Sequence, residues 1–115
     1  MFRTVRFLVP EFFWEELEKH FDRVLALSKL KRDELEEMLE IIREQTVTVP
    51  RELFKDELED AKRVSPDPLN VPYVALALAL GVPLVTGDKK LIRELPKRGI
   101  KVVTVRELYE IVVGE

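Results

Sequence analysis

Cysteine is absent from the 115 residues and histidine occurs once, at His20. These absences exclude disulfide staples, thiolate metal sites and a histidine-rich zinc centre. No apolar run reaches the about 20 residues that a bilayer-spanning helix needs. The longest uncharged stretch, Pro68 to Gly87, is broken by Pro72, Gly81 and Pro83. The start, M-F-R-T-V-R-F-L-V-P-E, lacks the apolar region of a secretory signal, so a cytoplasmic protein is expected, with no membrane partner. Gln45 and Asn70 are the only amides in a chain where 36% of residues are charged, a balance that leans towards a thermophilic source. A formal charge of -3 gives RNA no global attraction, so any nucleic-acid contact must come from a local basic patch. There is no repeat, linker or low-complexity segment, and residues 1–115 suit a single domain with one core.

What the chain does have is concentrated between Ser65 and Lys90, S-P-D-P-L-N-V-P-Y-V-A-L-A-L-A-L-G-V-P-L-V-T-G-D-K-K. Polar groups stand there only where elements begin and end. Asn70 is a suitable N-cap, Pro72 fits a first helical turn, and Gly81 suits the left-handed residue that closes a helix. Tyr73 to Leu80 is apolar on every face, as in a helix packed on both sides. Val82 to Thr86 reads as a strand buried on both faces, typical of a parallel sheet. Gly87-Asp88 turns the chain, and Asp88 can cap a helix from Lys89 to Leu95. Open parallel sheets place their sites at the carboxyl ends of strands, which is where Asp88 falls.

Earlier in the chain, Val5 to Val9 reads as a strand stopped by Pro10. In the following helix Phe13, Leu17 and Val24 recur at helical spacing. At 100° per residue His20 falls in the middle of that face and Glu16 about 60° to one side, a boundary position. From the residues alone, Glu16 reads as a surface carboxylate in an E-E-L-E-K run and His20 as a hydrogen-bonded structural histidine. Leu30 to Glu44 carries Leu35, Met38, Leu39 and Ile42 on one face, and the K-L-K-R cluster at its start reads as solvated surface. Thr46 to Val49 is a brief strand ended by Pro50. Leu53, Phe54, Leu58, Ala61 and Val64 form the buried face of another helix. Ile100 to Val103 or Val105 is the last strand, and T-V-R-E (Thr104 to Glu107) has the capping-box spacing for a helix through Val113. The order of elements argues α/β with a short parallel sheet of four strands flanked by helices.

The stretch D-P-x-N-V-P-Y-V-A-L-A-L-A-L-G-V-P-L-V-T-G-D-K-K-L resembles the carboxyl-terminal half of PIN-domain ribonucleases, the family that includes toxins of many toxin-antitoxin pairs. F-L-V-P-E-F-F-W-E-E-L-E-K-H (Phe7 to His20) is similar to the family's second strand and the helix carrying its glutamate. The resemblance implies a Mg²⁺- or Mn²⁺-dependent RNA endonuclease with acids converging at one end of a parallel sheet, and an antitoxin protein as a possible partner. Hard oxygen ligands suit these ions, which make a bound water more acidic for attack on a phosphodiester. The matching positions are Glu16, Asp67 and Asp88 as catalytic acids, with Asn70 as a further metal ligand; Thr86 and His20 would support them. Lys89, Lys90 and Arg93, beside Asp88, would hold an RNA phosphate or be the ordinary charged face of a short helix.

The departures from the family carry equal weight. An aspartate usually stands where Asn70 does, Leu69 occupies a position that is often acidic, and the chain reads as beginning at the family's second strand, so that the first strand, with its D-T-N or D-x-S aspartate, is expected to be lacking. Weak metal binding is therefore expected. Three functional classes stay open: a weak or inactive ribonuclease, a PIN-like binding or regulatory module, and an unrelated α/β domain whose acids are caps and surface. In the PIN fold the first strand lies between the strands at Val5–Val9 and Val82–Thr86. Without it the chain is expected either to pair these two directly or to fill the gap through a second chain. A homo-oligomer is the favoured expectation, with Phe2, Phe12, Phe13 and Trp14 as apolar surface to bury.

Overall fold

The computed structural model describes residues 6–11 and 13–113. Val5, Phe2 and Phe12 of the expectations above lie outside these residues. Strand β1 (Phe7–Pro10) pairs in parallel with β2 (Thr46–Val49), Phe7 opposite Thr46 and Pro10 opposite Val49. Strand β3 (Leu84–Val85) pairs in parallel with β4 (Val102–Val103). The four expected strands are therefore present, all in parallel pairs. Among the described residues they form two two-stranded sheets instead of one, and β1 does not pair with β3.

The crossovers that parallel pairing requires are helical. Between β1 and β2 run α1 (Phe13–Lys19), α2 (Phe21–Ser28) and α3 (Arg32–Glu44), and α6 (Lys89–Glu94), continued by a 3-10 turn at Leu95–Arg98, links β3 to β4. The expected continuous helix through Phe13, Leu17 and Val24 is broken at His20, whose φ of -118° and ψ of 28° depart from helical values. The break lets Phe21 pack against the cluster formed by α3 and the last helix, α7 (Val105–Val112), where the Arg32 guanidinium lies 4.9 Å from its ring centre. His20 is consequently a joint and not the centre of a buried face.

Between β2 and β3 the chain makes two short 3-10 turns, then α4 (Leu58–Val64), a third 3-10 turn at Pro68–Asn70 and α5 (Val71–Leu80). The irregular start leaves Leu53 57% exposed, so it does not belong to the buried face assigned to it, whereas Phe54, Ala61 and Val64 are buried as expected. Uncharged α5 is the central post of the fold. Val74 and Ala75 are fully buried in it, it packs on α4, and it touches both β1 and β3. Gly81 closes it with a left-handed φ of 65°. Both sheets thus stand on one helix, and among the described residues no strand pairing joins them.

That arrangement explains a further difference. Leu84 is buried but Val85 is 37% exposed, because among the described residues no strand pairs with the edge of β3 away from β4. Between β1 and β3 lies a cavity of about 650 Å³.

Candidate functional site

Glu16 follows β1 by one turn of α1, and Asp88 follows β3 by three residues, so both stand beyond the carboxyl ends of strands as expected. Glu16, His20, Arg23, Asn70, Thr86 and Asp88 all border the cavity. Asp67 joins them from the turn before α5 through an ion pair with Arg23.

Asp88 is fixed by its backbone surroundings. The Thr86 N–H donates to the Val103 carbonyl (3.0 Å), and the Asp88 N–H donates to the Thr86 hydroxyl (3.0 Å). Asp88 Oδ1 then accepts from the Lys90 and Leu91 N–H groups at 2.9 and 3.1 Å, the N-cap of α6 that the sequence indicates. Its Oδ2 accepts from the Asn70 side-chain amide at 3.3 Å.

Asn70 does not cap α5 with its side chain. The 3-10 turn at Pro68–Asn70 runs straight into that helix, so Asn70 is already helical (φ -86°, ψ -15°) and its amide is free to reach Asp88. The capping role passes to Asp67, whose Oδ1 accepts from the Leu69 N–H at 3.0 Å. That bond, then the Arg23 guanidinium, hold the Asp67 carboxyl below its ordinary pKa.

Glu16 Oε2 lies 3.5 Å from His20 Nε2. Behind it is Tyr73, half-buried, its ring edge-on to Phe13 at 6.1 Å. Burial, with a smaller contribution from the Glu16 charge, pushes the Tyr73 phenol up to about 12. A raised folded-state pKa gives a contribution that is complete below the ordinary value of about 10 and is lost as the pH rises to about 12. Folding stability is therefore expected to fall across that alkaline window, and Tyr73→Phe to flatten the fall. Denaturant midpoints measured at intervals through the window check it; an equally steep fall in the variant would assign the effect to other groups.

Each acid thus has a partner from the chain itself: His20 for Glu16, Arg23 for Asp67, Asn70 and two N–H groups for Asp88. Among the described residues no three Asp, Glu or His groups converge closely enough to hold a metal ion. Lys89, Lys90 and Arg93 are exposed on α6 next to Asp88, with Arg93 also paired to Glu94 at 3.4 Å. Lys29, Lys31 and Arg32 of the K-L-K-R cluster are exposed, as expected.

Arg23 and Tyr73 are the participants that sequence reasoning passed over. Arg23 was within reach of it: Glu16, His20 and Arg23 stand at i, i+4 and i+7, the spacing of one helical face.

Parallel strand pairs crossed over by helices, with acidic groups gathered beyond the strand ends, define an α/β protein of the kind that carries its site at the carboxyl edge of the sheet. Residues 1–111 match the family model described as PIN domain, and the chain belongs to the PIN-domain family. No curated protein and no solved structure matches the chain. No helix among the described residues is long and apolar enough to cross a membrane.

Proposed function

We propose that this chain is a ribonuclease-type domain whose hydrolytic centre is incomplete, so that its own cleavage of RNA is weak. Membership of the PIN-domain family supports nuclease-type chemistry in general. The observation that carries the reading is the state of the acids: Asp67 is paired with Arg23, Asp88 is held by the Asn70 amide and the first turn of α6, and Glu16 lies beside the His20 ring. The donors are oxygen-rich, as Mg²⁺ or Mn²⁺ chemistry requires, and such an ion would supply an activated water. As arranged, however, they do not fit one. An ion would have to displace Arg23 from Asp67, an exposed pair worth about 1 kcal/mol or less, and the Asn70 amide from Asp88. What the chain offers RNA directly is the exposed pair Lys89 and Lys90, placed beside Asp88 to meet a phosphate.

Titration calorimetry with Mn²⁺ is expected to give a dissociation constant weaker than about 1 mM, the loose end of the range for oxygen-ligand sites. Arg23→Ala, which frees Asp67, is expected to tighten it. Asn70→Asp adds charge without changing the geometry, and is expected to leave cleavage of single-stranded RNA slow with either ion. Tight stoichiometric Mn²⁺ binding by the unaltered protein, or rapid metal-dependent RNA degradation by it, would overturn the proposal.

A second reading, a binding or regulatory module, is favoured by one specific observation: the cavity between the two sheets, which is larger and more apolar than contact with an RNA phosphate requires.

A further inference from the structure

Charge is spread unevenly along the chain. Residues 89–101 hold six of the 19 Lys and Arg and one of the 22 acids, so this segment carries +5 of the formal charge and the rest of the chain carries -8. All six cations, Lys89, Lys90, Arg93, Lys97, Arg98 and Lys101, are exposed. Helix α6 and the 3-10 turn that continues it at Leu95–Arg98 sort them by face. Leu91 and Leu95, 1% and 0% exposed, fix the inner side. At 100° per residue, or 120° within the 3-10 turn, Lys89, Arg93, Lys97 and Lys90 fall between about 160° and 280° from Leu91, on the side turned away from the core. Arg98 falls nearer the inner side and is taken by Asp60 of α4 at 2.6 Å. The one acid of the segment, Glu94, stands at the border of the stripe, 3.4 Å from both Arg93 and Lys97.

We infer that the outer face of α6 and its following turn is a binding site for RNA backbone outside the acidic centre, where Lys89, Lys90, Arg93 and Lys97 hold successive phosphates of one strand that leads to Asp88. The inference rests on the reading of the chain as a ribonuclease-type domain, and it adds the contacts by which a weak cleavage centre keeps its substrate. From Lys89 to Lys97 the stripe runs about 13 Å, with the Lys89 end next to Asp88. Its chemistry selects the ligand. Protein interfaces are depleted of lysine and of charge at their cores, whereas four exposed cations in a row match a polyanion with one charge per unit. Residues 89–98 contain no aromatic and no amide side chain, so no ring is present for a base to stack on. Recognition is through phosphate, and is blind to sequence. Glu94 lowers the charge of the stripe by one while holding Arg93 and Lys97 side by side. Both of its pairs are exposed, so a phosphate can take either cation at little cost.

The test titrates the purified 115-residue protein into fluorescently labelled single-stranded RNA, oligo-U and oligo-A of about 12 nucleotides, with EDTA present and salt varied from about 50 to about 200 mM. The logarithm of the association constant is expected to fall against that of the salt concentration with a slope of about -3, the value for four contacts at about -0.7 each. The two sequences should bind within about threefold of each other. Arg93→Gln and Lys97→Gln should each flatten the slope by about 0.7 and weaken both RNAs alike. Arg98→Gln, whose guanidinium is held by Asp60, should leave the slope unchanged. Glu94→Gln should tighten binding about twofold or more, an effect that a purely structural role of these side chains would not produce. RNA bound with the parent slope by both Arg93→Gln and Lys97→Gln overturns the inference and leaves the ribonuclease reading standing, whereas no RNA binding at about 50 mM salt overturns both. Tighter binding of an oligo-glutamate peptide than of RNA also overturns the inference, and assigns the stripe to an acidic protein segment.

Discussion

Truncation of Leu91 to alanine is expected to cost about 2–5 kcal/mol, a large share of the about 5–15 kcal/mol that separates a domain of this size from its unfolded chain. Leu91 is 1% exposed, in the cluster that also holds Val74, Ala75 and Leu95. It lies on α6, a helix of only six residues that is far too short to persist without packing. Its N–H is also one of the two that bond Asp88 Oδ1, so loosening α6 releases the aspartate together with the helix. Denaturant unfolding should show a lower midpoint at unchanged slope. Leu53→Ala, at a residue 57% exposed, is the matched control and should stay within about 0.5 kcal/mol of the parent. A loss at Leu91 no larger than at Leu53 would mean that α6 is not anchored by this side chain.

The elements that were legible in the sequence are those whose cause is local. Gly81 ends α5, Asp88 caps α6, and Thr104 with Glu107 forms the capping box of α7, with bonds of 2.8 and 3.0 Å. In each case the residue type satisfies a helix terminus within four positions of itself. Features settled over longer range were not legible in the same way. Nothing in the run from Phe13 to Val24 signals a break, because the break at His20 serves Phe21 and its distant neighbours on α3. Asn70 has the residue type of an N-cap, yet its partner is 18 positions away. Val85 has the character of a doubly buried strand residue but is exposed, since burial of its second side depends on a neighbour that no described strand provides. In the site, Glu16, Asp67 and Asp88 could be named as the acids; that Arg23 binds Asp67 could not, because the pair spans 44 positions.

The largest effect expected of adding a single carbon is at Gly87, between the end of β3 and Asp88. A Cβ there would stand 2.7 Å from the Leu27 carbonyl oxygen and 3.3 Å from its carbonyl carbon, a contact that must be relieved by moving backbone. Gly87 has no positive φ, so the requirement for glycine is a matter of space alone. Leu27 lies in the last turn of α2, and Arg23 one turn earlier on the same helix holds Asp67. Gly87→Ala is therefore expected to cost about 1–3 kcal/mol, as overpacking does, and to push the end of α2 away from β3. The Asp67 carboxyl, held low by the Leu69 N–H and then by Arg23, should in consequence rise part of the way towards its ordinary value near about 3.9. The depressed pKa of Asp67 contributes stability that is present above about pH 4 and lost as the pH falls through the folded-state value, so the variant should lose less stability on acidification than the parent. Gly81 separates space from backbone conformation, since it has a φ of +65° and nothing within 4 Å of the added carbon. Asparagine, which tolerates the left-handed region, should be accepted at Gly81 at a fraction of its cost at Gly87. Denaturation midpoints for the two asparagine variants and a carboxyl titration of Gly87→Ala by NMR read both consequences. Equal costs at the two glycines, or an unmoved Asp67 titration despite a destabilised fold, would show that the close approach of Gly87 to Leu27 does not hold α2 and the acidic cluster together.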